Sequence, residues 1–464
     1  MNACTIVTRR VVCLAALCVS LVVAPVAGQG GPPPAGQAAP PAQDEAALVA
    51  KAKGIHQRVI TLDTHNDISP NNFTPECNYT MRLTTQVNLP KMVEGGMDVS
   101  FMIAYVGQGP LTPEGYDNAY RQAIAKFEAV NRLTEQIAPT QIGLALTADD
   151  VVRLHNQGKK IAVIGIENGY PIGMDINRVK EFWQKGGRYM SLAHNGHSQL
   201  ADSNTGEANN EWMWGGLSPL GKQVIAEMNK WGIMVDVSHP SKGSMMQAVA
   251  LSKAPIIASH SAVRALADVS RNLDDEQLIA IKQNGGVVQV VAFASYVKTD
   301  PSSNARNAAM AQLREQFGVA TAPAGGGRGG GGRGGGGGRG AGGGNAALDA
   351  LPPEQRAEYD RRLAKINAMY PAQTARANVQ DFVNHIDYAV KLIGIDHVGI
   401  SSDFDGGGGV DGWNSAAETF NVTLELVRRG YTEEQIGKIW SGNLLRVWGE
   451  VERVARDIQS GKIK

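Results

Sequence analysis

Short apolar segments with strand character recur along the chain, and most of them end at an ionisable residue. The segments lie at 59–67, 161–166, 189–193, 233–238, 254–259, 286–291 and 397–402. Six of the seven contain or directly precede a candidate metal ligand or acid–base group, in the order His65 with Asp67, Glu167, His194, His239, His260 and Asp403. Continuous apolar runs of this length are typical of strands that are buried on both faces.

Amphipathic stretches between these segments have the length of helices. Two clear cases lie at 218–231 and 274–284, and a glycine closes each of them. Strands that alternate with helices predict an α/β fold. We predict a (β/α)8 TIM barrel rather than an open sheet, because the carboxyl ends of barrel strands converge on one face and would bring the ionisable residues together.

The pair His65 and Asp67 indicates what these side chains do. Residues two apart on a strand point the same way, so an imidazole nitrogen and a carboxylate oxygen can bind one ion. This donor pair suits zinc or a similar divalent ion. One His-x-Asp pair also fits a simple turn after a strand, and only its recurrence with the other strand ends favours a metal site.

Size and charge narrow the classes of function. The chain has 464 residues, of which 43% are hydrophobic, so one barrel with insertions can contain a large core. The 44 basic residues balance the 44 acidic ones. This balance gives no reason to expect a nucleic acid or an anionic membrane as the partner, and it favours a small molecule that is recognised locally.

The first 28 residues have the organisation of an export signal. Arg9 and Arg10 precede an apolar run at 11–23, and small residues up to Gly28 offer a cleavage site. An uncleaved anchor is the alternative, but the run is short for a membrane span and Pro25 follows it. We therefore expect an exported protein, periplasmic or secreted, with no integral membrane span after signal removal.

Two further segments have compositions that do not support a packed core. Residues 29–45 are rich in Pro, Gly and Ala and predict a flexible linker, which leaves 46–464 for the barrel. At about 321–346, runs of glycine are interrupted by single arginines, which predicts a disordered insert in a barrel loop. The insert lacks aromatic residues that could stack on bases, so we do not expect it to bind nucleic acid.

The cysteines predict a mature chain without an internal disulfide. Cys4, Cys13 and Cys18 lie within the signal, which leaves Cys77 alone in the mature chain. We interpret Cys77 as a thiol without a catalytic role, because no base lies near it in the sequence.

Seven short motifs, in order, resemble those of a known enzyme family. They lie at 63–67 (Asp-Thr-His-Asn-Asp), 165–169 (Gly-Ile-Glu-Asn-Gly), 192–195 (Leu-Ala-His-Asn), 236–239 (Asp-Val-Ser-His), 259–261 (Ser-His-Ser), 271–273 (Arg-Asn-Leu) and 402–406 (Ser-Asp-Phe-Asp-Gly). Together they resemble the membrane (renal-type) dipeptidases, a family of zinc peptidases in the metal-dependent hydrolase superfamily. The resemblance covers about 50–455.

The resemblance implies a distorted (β/α)8 barrel that holds two Zn2+ ions per chain. It implies that His65 and Asp67 bind one ion, that His239 and His260 bind the other, and that Glu167 bridges both. Two dications about 3.5 Å apart repel each other, and a bridging carboxylate and a bridging hydroxide would offset much of that charge. The hydroxide would also be the nucleophile, because paired Lewis acids lower the pKa of bound water.

The resemblance also implies roles for three residues around the metals. His194 would stabilise the oxyanion, Arg271 would hold the substrate carboxylate, and Asp403 would bind the substrate amine and pass the proton to the leaving group. The planar guanidinium of arginine suits a carboxylate. The sequence leaves His197, Arg264 and Asp405 as respective alternatives. The four other histidines, His56, His155, His385 and His397, are interpreted as structural or solvated.

The function that the resemblance implies is hydrolysis of the peptide bond of dipeptides through the metal-bridging hydroxide. The alternative is a related metal-dependent amidohydrolase that acts on a lactone, a β-lactam or an N-acyl amino acid. A non-catalytic exported binding protein is less well supported, because every expected ligand is present. The sequence leaves the oligomeric state open, with a homodimer as one option.

Overall fold

The computed structural model describes residues 45–299, 301–318, 351–370 and 376–463. Nine strands lie in these ranges: β1 Leu62–Asp67, β2 Val99–Ile103, β3 Ile142–Leu144, β4 Lys160–Ile166, β5 Gly187–Ser191, β6 Met234–Asp236, β7 Ile257–Ser261, β8 Val287–Val291 and β9 Val398–Ser401. All of the pairings between them are parallel.

Eight of the strands form a nearly closed barrel. Their order is β1-β2-β4-β5-β6-β7-β8-β9, and β3 pairs only with β4 outside this path. Just beyond the end of β9, the backbone N–H of Asp67 donates to the carbonyl of Phe404 at 2.8 Å. The prediction of an α/β fold with (β/α)8 TIM barrel architecture is therefore confirmed.

Helices surround the barrel between consecutive strands. The α-helices are α1 Glu45–Arg58, α2 Leu89–Gly95, α3 Pro113–Arg132, α4 Ala148–Asn156, α5 Asn177–Gln184, α6 Pro219–Trp231, α7 Lys242–Leu251, α8 Asp275–Asn284, α9 Ala294–Val297, α10 Pro301–Gln316, α11 Pro353–Met369, α12 Val379–Ile393, α13 Phe420–Arg428, α14 Glu433–Gly437 and α15 Asn443–Gln459. Short 3-10 or π helical segments lie at Pro70–Asn72, Leu133–Ile137, Tyr170–Ile172, Asn204–Ala208, Ile395–His397, Ala416–Glu418 and Lys438–Gly442.

Both helices that the sequence singled out form with the expected ends. Ser218 caps α6 by accepting a hydrogen bond from Gly221 N, and Asp274 caps α8 in a capping box. Each helix ends at a glycine in the left-handed conformation, Gly232 with φ 81° and Gly285 with φ 79°. Local chemistry therefore determines where these helices begin and end.

The strands β2 and β3 were not among the predicted segments. β2 is fully buried and ends in isoleucine, so no ionisable residue drew attention to it. β3 is only three residues long and pairs at the outside of the barrel path. An apolar run of this length does not distinguish a strand from a buried piece of helix.

A column of buried aromatic rings links the core to the carboxyl ends of the strands. The Trp448 ring of α15 lies 6.2 Å from the Phe101 ring, which stacks 5.6 Å from the ring of Tyr189. The Tyr189 hydroxyl in turn lies 2.9 Å from His65 Nδ1. Burying rings of this size stabilises the fold by about 1.5–3 kcal/mol each, and here the packing also fixes the position of a histidine.

Asp63 joins β1 to β9 where the barrel closes. Its buried carboxylate accepts hydrogen bonds from the backbone N–H of Ser402 at 2.9 Å, from the Ser402 hydroxyl and from Asn66 Nδ2 at 2.8 Å. Asn66 Oδ1 accepts from Ser100 Oγ on β2 at 2.6 Å. These bonds connect β1 to β2 and to the end of β9.

Several sequence expectations concern residues outside the described ranges. The export signal at 1–28, residues 29–44 of the linker and the Gly/Arg insert at about 321–346 all lie there. Within the described ranges, no helix is both long and apolar enough to cross a membrane.

In the full chain Cys77 is disulfide-bonded rather than a thiol. The prediction that the mature chain has no internal disulfide concerns a chain without residues 1–28 and stays a prediction.

Replacing Asp63 tests the closure of the barrel. We expect Asp63→Ala to lower the free energy of unfolding by about 3 kcal/mol, because the buried donors of Ser402 and Asn66 lose their acceptor. Denaturant unfolding of metal-free protein measures this change. The control is Asp117→Ala, whose side chain is 62% exposed and should change stability by less than about 0.5 kcal/mol. Equal effects of the two substitutions would contradict the role of Asp63.

Candidate metal centre

The carboxyl ends of the barrel strands bring the sequence-predicted residues together. His65 and Asp67 lie in β1, Glu167 directly follows β4, and His260 lies in β7. His239 lies three residues beyond β6, and His194 lies three residues beyond β5. Residues far apart in sequence therefore meet at one end of the barrel, as the fold requires.

Glu167 is the centre of this cluster. Its carboxylate is 3% exposed, and the Nε2 atoms of four histidines lie within 3.6 Å of it. Oε2 lies 3.4 Å from His65, whereas Oε1 lies 2.9 Å from His239, 3.3 Å from His260 and 3.6 Å from His194. The two oxygens thus face different sets of imidazoles.

Within the described ranges, three overlapping groups of side chains have ligand atoms within 4.8 Å of one another. They are His65 with Glu167 and His260, Glu167 with His194 and His239, and His65 with Asp67 and Asp403. Glu167 belongs to two groups, and so does His65. The cluster is therefore larger than the ligand shell of a single ion.

Three buried atoms of the cluster have no hydrogen-bond partner among the residues that the structure describes. They are His65 Nε2, Asp67 Oδ1 and His239 Nδ1. Buried polar atoms without a partner cost free energy unless something binds them. Imidazole nitrogens and carboxylate oxygens are the ligands that zinc and similar divalent ions prefer. The residues present therefore fit a metal centre.

The backbone of His239 is held in an unusual conformation. Its φ of 76° is left-handed, which a residue with a side chain rarely adopts. Its carbonyl accepts hydrogen bonds from Asn204 N at 2.8 Å and Asn204 Nδ2 at 2.9 Å. His239 Nε2 lies only 3.1 Å from His260 Nε2. The loop thus directs two ring nitrogens to one point, an arrangement that a shared cation would stabilise.

Partners on the far side of two rings orient them. Tyr189 donates its hydroxyl proton to the carbonyl of Thr64 at 3.1 Å, so His65 Nδ1–H donates to the Tyr189 oxygen and leaves Nε2 free. Ser259 Oγ donates to Asp236 Oδ2 at 2.6 Å and can therefore accept from His260 Nδ1–H at 2.8 Å. In both rings, the nitrogen that faces Glu167 is the one that can act as a ligand.

The electrostatic environment determines the protonation states of these histidines and of Glu167. Burial lowers the pKa of His239 and of His260 well below the usual range, so both imidazoles are neutral, as metal ligands must be. Burial also lowers the pKa of His65, but the charge and hydrogen bond of Glu167, together with the charges of Asp403 and Asp67, outweigh it and raise the pKa to about 9. A cation bound at Nε2 would therefore displace a proton from this ring. Burial raises the pKa of Glu167, yet the neighbouring imidazoles, His65 first, more than reverse that effect.

His194 belongs to the cluster and His197 does not. The His194 ring lies 4.1 Å from the His239 ring and 4.7 Å from the ring of Tyr105. Burial lowers the pKa of His194, so its ring is neutral and one nitrogen carries a proton. His197 Nδ1 instead accepts from the backbone N–H of Ser203 at 3.1 Å, within its own loop.

Arg271 lies at the cluster and Arg264 lies at the surface. Arg271 is 6% exposed and donates to Ser261 Oγ at 3.1 Å and to the carbonyl of His260 at 3.0 Å, while its Nε has no partner. The guanidinium of Arg264 pairs with Glu207 and Asp268. Arg271 is thus the arginine with donor capacity left beside the histidines.

Asp403 and Asp405 have different surroundings. Asp403 has φ 58° and belongs to a ligand group, and burial raises the pKa of its carboxyl well above the usual range. Asp405 accepts from the backbone N–H of Gln86 at 2.8 Å and of Val87 at 3.2 Å, and burial raises its pKa to about 6. Asp405 therefore holds a loop, and Asp403 faces the centre.

The four other histidines lie outside the cluster. His56 Nε2 lies 2.9 Å from the carbonyl of Gly95, and His385 Nε2 lies 2.8 Å from that of Val297. His155 Nδ1 lies 3.7 Å from Asp98, and His397 Nδ1 lies 2.8 Å from the carbonyl of Gly286. These contacts tie the helices and loops of the barrel together.

Sequence reasoning missed several residues around the centre. Tyr105, Tyr189 and Tyr296 were not singled out, although Arg271 lies 5.6 Å from the Tyr296 ring and the other two contact histidines. Lys126 of α3 was also missed. Tyr189 begins a predicted strand and Tyr105 follows β2, but a tyrosine in or after a buried strand carries no signal by itself that distinguishes a site from the core.

The comparisons with known proteins agree with this geometry. The sequence profile of the family described as "Membrane dipeptidase (Peptidase family M19)" matches residues 49–462. Among curated proteins, the dipeptidase aclJ of Aspergillus oryzae is 27% identical over 426 residues, which are 88% of this chain and 83% of the relative. The dipeptidase tcpJ of Claviceps purpurea is also 27% identical, over 81% of this chain and 72% of the relative.

Solved structures share the barrel. The probable dipeptidase PvdM of Pseudomonas aeruginosa is 33% identical, with a TM-score of 0.71, and the match covers 88% of this chain and all of that chain. A metallo peptidase of Rhodobacter sphaeroides, solved with a phosphinate mimic of the dipeptide L-Ala-D-Ala, is 20% identical with a TM-score of 0.60. That match covers 85% of this chain and 99% of the other, and it supports the fold alone.

Replacing Glu167 tests whether it is the centre of a metal site. We expect Glu167→Gln to weaken metal affinity by at least about tenfold, because the amide carries no charge to offset the cations. Competition with a chromophoric chelator measures the affinity. The matched control is Glu425→Gln, since Glu425 is also buried but pairs with Arg429 at 2.8 Å. Unchanged metal affinity in Glu167→Gln would show that the ion binds elsewhere.

Proposed function

Because this chain belongs to the membrane dipeptidase family and is a metal-dependent dipeptidase, we propose that it is an exported enzyme that uses two zinc ions. Its substrates are dipeptides, whose peptide bond it hydrolyses. The observation that carries the proposal is the position of Glu167, whose two oxygens face different imidazoles within 3.6 Å.

The two faces of Glu167 support the proposed division of the ligands between two ions. His65 and Asp67 would hold one zinc on the Oε2 side, and His239 and His260 would hold the other on the Oε1 side. When bound, the ions would supply Lewis acidity and activate water at neutral pH. Nitrogen and oxygen ligands of this kind suit zinc better than they suit Mg2+ or Ca2+.

His194 would stabilise the negative charge that develops on the scissile carbonyl oxygen. Its imidazole is neutral because burial lowers its pKa, so one ring nitrogen can donate a hydrogen bond. Its side chain is 15% exposed, compared with 1% for His65, and it therefore has a surface from which to reach a substrate. A donor aimed at developing charge in a water-poor site is among the strongest contributions to catalysis.

Arg271 and Asp403 would bind the two ends of the substrate. The Nε of Arg271 has no partner, and its planar guanidinium suits the terminal carboxylate. The carboxylate of Asp403 would accept a hydrogen bond from the substrate amine, take up the proton that the attacking water releases, and pass it from Oδ to the leaving nitrogen. Both side chains are at least nine-tenths buried, so their charges gain strength from the low local dielectric.

Fixing both charged ends explains why the enzyme would reject longer peptides. A chain that extends past either end would leave Arg271 or Asp403 without its partner, and this costs several kcal/mol, on the order of a buried ion pair that loses one member. A tripeptide that is cleaved as readily as the dipeptide it contains would contradict this account of selectivity.

The N-terminal sequence supports the proposed location of the enzyme. Residues 1–28 would direct export and be removed, and 29–45 would link the barrel to the cleavage site. The mature enzyme would then act in the periplasm or outside the cell, as a monomer or a homodimer, and would carry the Gly/Arg insert at about 321–346 as a loop.

A release assay tests the proposed reaction. We expect purified protein to release both amino acids from dipeptides of a panel with L,L and L,D members, to lose this activity in a strong chelator, and to recover it with two equivalents of zinc. A parallel assay uses the same dipeptides with an acylated amine. Preference for the acylated compounds would indicate the related amidohydrolase instead, and cleavage that survives chelation would exclude the metal mechanism.

Replacing Arg271 tests the carboxylate clamp. We expect Arg271→Met to raise KM for a dipeptide by about 100-fold, because a charge-assisted hydrogen-bond pair is lost. Arg264→Met is the matched control and should leave KM unchanged, since Arg264 pairs with Glu207 and Asp268. Steady-state kinetics of both variants decide between the two arginines, and the reverse result would transfer the role to Arg264.

A further inference from the structure

Helix α3 crosses the end of the barrel at which the metal centre lies. Near its start, the Tyr116 ring lies 5.3 Å from the ring of Tyr170, in the segment that follows β4. At its end, Arg132 Nη1 donates to the carbonyl of Phe73, in the segment that follows β1, at 3.0 Å. The middle of α3 therefore lies beside the carboxyl ends of the strands that carry Glu167 and Asp67.

Lys126 projects from this middle section toward the centre. Its Nζ lies 5.3 Å from the centroid of the Tyr105 ring, and the Tyr105 ring in turn lies 4.7 Å from the imidazole of His194. The side chain is partly buried. Within the described ranges it forms no salt bridge, unlike Lys160, which pairs with Asp98 at 3.0 Å.

The charges around Lys126 are those of the metal ligands. Burial lowers the pKa of its ammonium group, and the carboxylates of Asp67 and Glu167 raise it. The charge of Arg271 lowers the pKa values of His194, His239 and His260, and also that of Asp403. The centre therefore has two cations, with Lys126 on the side of α3 and Arg271 beside the histidines and Asp403.

We propose that Lys126 is a specificity-determining residue that selects dipeptides whose N-terminal residue has a side-chain carboxylate. The inference rests on the proposed function, which assigns the C-terminal carboxylate to Arg271. A substrate held there extends across the centre toward Asp67, so its N-terminal residue lies at the end where Lys126 is found.

The two charged groups at that end match an acidic N-terminal residue. Asp403 is grouped with Asp67 and His65 and offers a carboxylate to the α-amine. Lys126 offers an ammonium on a long flexible stem to a second carboxylate. Bound metal ions would neutralise the negative charges of Asp67 and Glu167. Among the described residues, no other acidic side chain pairs with Lys126. An acidic side chain of the substrate would therefore supply the anion that pairs with its ammonium group.

Two dipeptides of the same shape, one with a charged and one with a neutral N-terminal side chain, isolate the effect of the charge. Glu-Ala and Gln-Ala differ only in the charge of the N-terminal side chain, and both keep the free amine and the C-terminal carboxylate. We expect the wild-type enzyme to have a kcat/KM for Glu-Ala about tenfold above that for Gln-Ala, mainly through KM, as expected for one partly buried charge pair.

The decisive variant is Lys126→Met, which keeps the length of the side chain and removes its charge. We expect the ratio of the two kcat/KM values to fall to within about twofold of unity, while Lys126→Arg keeps most of the preference. Arg121→Met is the matched control, because it removes a positive charge from an exposed position on the same helix and should leave the ratio unchanged. Metal content and melting temperature are measured for each variant.

The outcomes distinguish a failure of the proposed dipeptidase function from a failure of the inference about Lys126. If neither dipeptide is cleaved, the proposed function itself is wrong. If both are cleaved but the wild type does not prefer Glu-Ala, the inference about Lys126 is overturned, whether or not the variants fold. The same conclusion holds if Lys126→Met lowers both kcat/KM values equally or only reduces the metal content, because either result would show a structural role.

Discussion

A buried carboxylate surrounded by imidazoles is the constraint on which the rest of this molecule depends. Glu167 is 3% exposed, and four histidine nitrogens lie within 3.6 Å of its oxygens. Burying a charge is costly unless it is paired or bound to a metal. Two of the imidazoles are neutral because burial lowers their pKa, so they offer lone pairs rather than charge. The proposed pair of cations would satisfy both kinds of group at once.

The packing of the barrel holds these groups in position despite the free-energy cost of burying them. The carboxyl ends of parallel strands supply the positions, and a second set of buried side chains fixes the orientations. Tyr189 holds His65, and Asp236 acts through Ser259 on His260. The same Tyr189 belongs to the aromatic column that leads to Trp448 in α15. Core packing and ligand geometry are therefore linked, because a change in the packing of the aromatic column would also move His65.

The sequence predicted most of the fold, because the strand ends and helix caps are local signals. It anticipated the ends of α6 and α8 and the convergence of Glu167 with the histidines. It missed β2, whose apolar run ends in no ionisable residue, and it could not foresee Lys126. A lysine in the middle of an amphipathic helix looks solvated, and only the path of α3 across the barrel end brings it near Asp67. Such placement depends on tertiary structure.

Anomalous diffraction at the zinc absorption edge, from crystals of the zinc-loaded protein, measures whether two ions lie at Glu167. We expect two peaks about 3.5 Å apart, one on each side of the Glu167 carboxylate, with His65 and Asp67 at one peak and His239 and His260 at the other. A single peak that leaves one of these pairs without a metal, or peaks away from Glu167, would contradict this expectation.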